Sequence, residues 1–261
     1  MVKKIVGTGV LLVLALALQA GVKMYTLKSP DGKVKLEVTA GQGIAYSLFY
    51  DGRLLLKPSR IALHTDLPEA DHWENIRITG TKQRHVSETV QAPFYRVKEF
   101  GIDCNELELR LNNGFSLLMR AYNDGMAYRF VAGRKGEMTV VEERAEFNFA
   151  DDFEAYIPYS TNPKDPWNMA FQNFYTKAPL TQYNTELPAF LPLTVDAGAV
   201  KLTLLESDLE AYPGMFVRGD GKTPALKGVF AAYPQETFKN KWRCQETVKT
   251  RRPYIARVAG K

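Results

Sequence analysis

Apolar and polar residues alternate along most of this chain, and that period of two is what most restricts its fold. Val34, Leu36 and Val38 interleave with Lys35, Glu37 and Thr39, and Leu107, Leu109 and Leu111 interleave with Glu106, Glu108 and Arg110. Phe115, Leu117 and Met119 repeat the pattern, as do Val200, Leu202 and Leu204. Neighbouring side chains of a strand point to opposite faces, so these runs predict strands with one face in a core and the other in water. An amphipathic helix needs apolar spacings of three and four, and no convincing stretch of this kind follows the first twenty residues.

Turn chemistry separates the runs. Ser29-Pro30-Asp31-Gly32 has proline at the second turn position and glycine at the fourth. Asp51-Gly52 predicts a two-residue hairpin between Ile44–Tyr50 and Arg53–Leu56. Asn112-Asn113-Gly114 and Asn123-Asp124-Gly125 mark two more. Many short strands joined this way predict an all-β fold of antiparallel sheets packed as a sandwich. No linker, low-complexity tract or internal repeat divides the chain, so one domain is expected.

The N-terminus follows another logic. Lys3-Lys4 precedes an apolar stretch from Ile5 to Leu18, then Gln19-Ala20. A charged start, a short apolar core and a small final residue predict a signal peptide over residues 1–20 and a mature domain over 21–261. The stretch is short for a membrane span, which takes about 20 apolar residues. Export to the periplasm or outside the cell is expected. It would put Cys104 and Cys244 where a disulfide is permitted. At a separation of 140 residues, two separate buried thiols are the favoured account of these cysteines.

Charge excludes one class of partner. Lys and Arg exceed Asp and Glu by 34 to 29, and the excess falls to +3 when Lys3 and Lys4 are removed. Adjacent basic pairs after the leader are confined to Arg134-Lys135 and Arg251-Arg252, with none of the clustering that nucleic acid demands.

Catalytic signatures are missing. The three histidines have no zinc-ligand spacing, and no GxSxG, GxGxxG, P-loop or EF-hand loop occurs. Asp151-Asp152, Glu142-Glu143 and Glu206 with Asp208 are carboxylate pairs, but any chain with 29 acids offers such pairs. One segment stands out instead. Residues 155–190 break the alternation with several prolines and hold eight aromatic side chains in 36 residues, about twice the chain average of 11%. Trp167, Phe171 and Tyr183 alternate there with Gln172, Asn173 and Gln182. Flat rings beside amides suit sugars, whose faces are apolar and whose edges need donors and acceptors. The same rings would serve equally to pin a long loop to the sandwich.

Several stretches resemble a known family. Leu27-Lys-Ser-Pro-Asp-Gly32, Tyr46-Ser-Leu-Phe-Tyr-Asp-Gly52, Arg120-Ala-Tyr-Asn-Asp-Gly-Met-Ala-Tyr-Arg-Phe130, Glu206-Ser-Asp-Leu-Glu-Ala-Tyr-Pro-Gly-Met215 and Tyr254-Ile-Ala-Arg-Val-Ala-Gly260 occur in order along the mature chain. Together they resemble the N-terminal domain of glycoside hydrolase family 97. The resemblance implies an antiparallel β-super-sandwich of galactose-mutarotase-like form, which in the whole enzyme precedes a catalytic (β/α)8 barrel. It implies exported enzymes that cleave α-linked glucose or galactose with calcium in the active site. The catalytic acids belong to the barrel, so no catalytic residue and no metal ligand set is assigned to this chain. The strand that usually closes the first domain would also follow Lys261.

Two departures bear on the site. Where the family shows F-E-N-x-Y and L-S-E patterns, this chain has Phe171-Gln172-Asn173-Phe174-Tyr175 and Leu180-Thr181-Gln182. One of these patterns supplies an acid to the family's calcium, and both acids are glutamines here. Glu206 keeps the family's acid, either to line the site or to pair within the domain. The resemblance thus points to Trp167, Gln172, Gln182 and Glu206 as sugar-binding residues, with a weakly held oligosaccharide and a missing or separate barrel as partners. A stand-alone sugar-binding protein and a structural or adhesive β domain are the alternatives.

Overall fold

The computed structural model describes residues 23–168, 171–207, 209–239 and 246–260. The predicted leader and Cys244 lie outside them. Among the described residues there are eighteen strands and one short 3-10 turn, with no α-helix. The period-two reading therefore holds. Among the described residues no helix is long and apolar enough to cross a membrane.

The first layer is an antiparallel sheet in the order β1-β2-β3-β4-β9-β15-β14. Its strands are β1 (Lys23–Lys28), β2 (Val34–Gly41), β3 (Gly43–Tyr50), β4 (Arg53–Thr65), β9 (Gly136–Phe149), β14 (Met215–Gly219) and β15 (Ala225–Phe230). β18 (Ala256–Gly260) pairs with the start of β9. The second layer is a meander of β5 (Ile78–Gln91), β6 (Glu99–Leu111), β7 (Phe115–Tyr122) and β8 (Gly125–Ala132). β1 and β2 lie against β6 and β7, which buries Leu27, Leu36 and Val38 against Leu107, Leu109, Leu117 and Met119. Each of these seven is under 5% exposed, and burying such a side chain contributes about 1.5–3 kcal/mol.

Local chemistry explains the corners. At the β3–β4 hairpin Asp51 and Gly52 take φ of 48° and 78°, the pair of positive values that a type I′ turn requires. Ser29 closes the β1–β2 turn: its hydroxyl donates to Asp31 Oδ1 at 2.6 Å and accepts the Val34 N–H at 3.0 Å. The Asp31 N–H in turn donates to Asn123 Oδ1 at 3.0 Å, tying this turn to the β7–β8 turn on the other layer.

A smaller sheet follows in the order β11-β10-β12-β13, formed by β10 (Glu154–Ile157), β11 (Thr176–Pro179), β12 (Leu193–Ala197) and β13 (Val200–Leu204). The 155–190 excursion is thus not a bare loop. It leaves β10, returns as β11 paired back on β10, and passes through a 3-10 turn at Leu180–Gln182 before reaching Phe190. Four residues at Thr176–Pro179 are too few for alternation to be seen in sequence. β16 (Pro234–Lys239) and β17 (Glu246–Arg251) make a separate two-stranded ribbon.

Candidate functional site

Strand β14 is the outermost strand of the large sheet, and an edge strand needs cover. The excursion supplies it. Ala189 exchanges backbone hydrogen bonds with Val217 at 2.9 and 2.8 Å, and Tyr159 bridges to Ala189 from the other side. This stacks the two ends of the excursion on β14.

Side chains follow the backbone. Tyr183 is 3% exposed and donates its hydroxyl toward the Val217 carbonyl at 2.8 Å. Its ring meets Tyr159 edge-on at 5.0 Å. Gly219 makes this possible, because a β-carbon there would lie 2.7 Å from the Tyr183 ring. Tyr159 accepts the Asn184 N–H at 2.8 Å through its hydroxyl, and its carbonyl accepts from the Asn173 side-chain amide. Burial raises the hydroxyl pKa of both tyrosines, so they act here as neutral hydrogen-bonding groups.

One residue earlier on β14, Phe216 gathers the other rings. Trp167 packs edge-on against it at 4.8 Å and 88°, and Phe171 lies 6.0 Å away. Phe171 also meets Phe190 at 5.3 Å. Phe171 adopts a φ of 55°, a strained conformation for an aromatic residue. Phe190 and Phe216 are buried and form an apolar floor, on which the half-buried Trp167 and the exposed Phe171 present the open ring surface.

Glu206 reaches the same strand from the loop after β13. Its carboxylate accepts the Met215 N–H at 2.7 Å, and Gly214 leaves it room. Within the domain Glu206 is thus held by a backbone donor on one of its oxygens. Close by, Glu143 of β9 accepts the Tyr212 hydroxyl at 2.7 Å. Burial raises the pKa of both carboxyls; the charge of Glu206 pushes Glu143 further up, while the two donors pull back.

The four expected site residues thus divide. Trp167 and Glu206 both meet the start of β14, at Phe216 and Met215, while Gln172 is exposed next to Phe171 in the chain. Gln182 is exposed on the 3-10 turn and reaches β14 through its neighbour Tyr183. Phe216, which organises the floor, lies in a short buried run and gave no sign in the sequence; only the adjoining Tyr212-Pro213-Gly214-Met215 stretch did. Two exposed glutamine amides and a carboxylate already holding a backbone N–H do not make a calcium site, which takes 6–8 oxygens. Among the described residues no three His, Cys, Asp or Glu side chains converge as a metal would need.

The chain matches the Glycosyl-hydrolase 97 N-terminal family over residues 27–252. It belongs to that family. It is 39% identical to the retaining alpha-galactosidase of Bacteroides thetaiotaomicron over 251 residues, which are 93% of this chain and 38% of the relative. A probable retaining alpha-galactosidase of Streptomyces bingchenggensis is 26% identical over 158 residues, 59% of this chain and 24% of the relative. The fold also matches a Glycoside Hydrolase Family 97 enzyme from Pseudoalteromonas sp. strain K8, in complex with acarbose, with a TM-score of 0.67 at 17% identity over 90% of this chain and 34% of that one. A beta-arabinopyranosidase crystal structure gives 0.70 at 19%, over 90% and 38%. The sequence thus spans under two-fifths of these relatives' length, and the match falls on the family's N-terminal β-sandwich.

Proposed function

We propose that this is the sugar-facing N-terminal module of an exported α-galactoside hydrolase, inactive by itself because the reacting carboxylates belong to a barrel outside these residues. The observation that carries the reading is the open ring surface of Trp167 and Phe171 on the floor of Phe190 and Phe216 along β14. The exposed Gln172, next to Phe171 in the chain, can serve sugar hydroxyls through its amide. An apolar sugar face stacks on rings, and its edge is met by paired donors and acceptors. The 39% identity to a retaining alpha-galactosidase favours a galactoside over other sugars. Any calcium would draw its remaining oxygens from outside this chain.

Half of such a site is missing here, so much of the sugar stays wet, whereas ligand pockets bury about 70–90% of their ligand. Affinity for the isolated module is therefore millimolar, roughly −4 kcal/mol. Titrating melibiose while following Trp167 fluorescence and amide NMR shifts tests this. Trp73 is buried at 4% exposure and serves as an internal reference. Shifts confined to Trp167, Gln172 and their neighbours are expected, together with no turnover of a nitrophenyl α-galactoside. Shifts absent at high millimolar sugar would reduce the floor to a packing device.

A further inference from the structure

The outward face of the β5–β8 meander carries a second cluster of charged groups, separate from the β14 floor and argued without it. Register puts Arg84, Glu106 and Arg120 directly across from one another on β5, β6 and β7. Lys82 and Glu108 face each other one rung along. Because Leu107 and Leu109 fill the core on the inner face, these neighbours must all stand on the outer one.

Glu106 is only 5% exposed although it stands on that outward face. Arg84 and Arg120 close over it, each with Nε at 2.7 Å from one carboxylate oxygen. Burial would raise the Glu106 pKa, but the two arginine hydrogen bonds outweigh it and hold the carboxyl below its ordinary value. Each guanidinium offers five donors in a rigid fork, and the contacts to Glu106 use only Nε. Arg84, with 53% of its side chain exposed, is therefore a fixed cation whose terminal amino groups face solvent.

Beside it lies a depression of about 290 Å³ lined by Lys82, Arg84, Ser116 and Val131 and also by the carboxylates Glu106 and Glu108. The Lys82 ammonium has no hydrogen bond or ion pair among the described residues, unlike the arginines next to it. The Ser116 hydroxyl reaches Glu108 only loosely, at 3.4 Å. The depression thus offers a free ammonium, an oriented guanidinium fork and a hydroxyl, with the Glu108 carboxylate at one side.

We infer that this depression binds an oxyanion. A guanidinium fork and an ammonium match two oxygens of a carboxylate or sulfate. Glu106 does not oppose the anion, since its charge is spent on two arginines. Glu108 would repel a bare anion but accepts a hydroxyl, which favours an anion carried by a hydroxylated ring. The volume is near the lower bound of about 300 Å³ for ligand pockets, which suits a monosaccharide. The chemistry is that of a sugar carboxylate, and free sulfate shares it.

The test uses the 261-residue chain with galacturonate, galactose and inorganic sulfate, followed by NMR of the arginine Nε–H and backbone amide signals. Galacturonate is expected to shift Arg84, Ser116 and their neighbours, and galactose to leave them unmoved. Lys82→Gln, on an exposed side chain, should weaken the effect about tenfold and Arg84→Lys should weaken it although charge is kept. Sulfate binding as tightly as galacturonate would support the oxyanion site with a free anion as its source; galacturonate binding more tightly would support the sugar. Shifts absent at tens of millimolar of either anion, or unchanged in Lys82→Gln, would overturn the inference. Galacturonate shifts appearing at Trp167 instead would overturn it too.

Discussion

Tyr212 shows how a half-buried carboxylate, that of Glu143, comes to depend on a single hydroxyl. Glu143 and Glu206 flank the loop that leads into β14, and each has a single donor: Tyr212 for Glu143 and the Met215 N–H for Glu206. Burial raises the pKa of both, and the charge of Glu206 pushes Glu143 further up. A raised folded pKa contributes stability below the ordinary carboxyl value, and that contribution is lost as pH climbs through the raised value. Asp66 and Asp220 act in the opposite sense. Backbone N–H donors lower their pKa values, so their contribution disappears as pH falls. Glu143→Gln keeps an acceptor for Tyr212 and removes the charge. The variant should therefore gain on the parent as pH rises from about 4 to about 8, by about 2–4 °C, the change that ~1 kcal/mol gives in a domain of this size. Melting curves across that range check it, and parallel pH profiles for the two proteins would refute it. Tyr212→Phe strands a half-buried carboxylate and should cost about 1–3 kcal/mol by urea titration.

At the level of elements, legibility followed burial. Strands with one wet face, such as β2 and β7, alternate buried and half-buried along their whole length and could be read residue by residue. The Asp51-Gly52 hairpin was equally readable, because only a few residues tolerate two successive positive φ values. The β14 edge was not. Met215, Phe216 and Val217 are all buried, so alternation vanishes where a strand is covered on both faces. The covering excursion was visible as aromatic enrichment, but composition could not say whether its rings faced ligand or protein. The structure separates the rings: Tyr183 is spent on β14, whereas Phe171 is half open to solvent. Glu206 matched a family acid, and its backbone acceptor role depends on a loop closure that no spacing rule foretells. Phe216 joins these parts, which makes it the residue to remove. Phe216→Ala should cost about 3–5 kcal/mol. It should also shift Trp167 emission to the red, since that ring loses its partner. Equal loss of stability without an emission change would mean that Trp167 is seated by something else.

On the scale of the whole molecule, the two layers do not end together. β7 last pairs with β6 at Cys104 opposite Tyr122, yet β5 and β6 stay paired from Ser87 opposite Asp103 out to Gln91 opposite Glu99. The meander therefore extends into a two-stranded ribbon that no other strand flanks. Such ribbons are marginally stable by themselves. Its tip carries Phe94 at 97% exposure, Tyr95 at 69% and Val97 at 53%, with Phe100 at 44% on the returning strand. Single exposed apolar side chains are ordinary, but four within seven residues form a contiguous patch of the kind that marks contact with another surface. Arg96 and Lys98 stand between them, and the Lys98 ammonium turns inward onto the Pro93 carbonyl, so the tip is only thinly guarded by charge. In isolation the patch should meet its own copy. Sedimentation velocity across a hundredfold concentration range is expected to show reversible self-association. Phe94→Ser with Tyr95→Ser should shift the chain toward monomer without lowering its melting temperature by more than about 2 °C, because neither ring is buried in the core. Association that survives the double substitution would move the contact away from this tip, with the β16–β17 ribbon and its 51%-exposed Phe238 as the next surface to change.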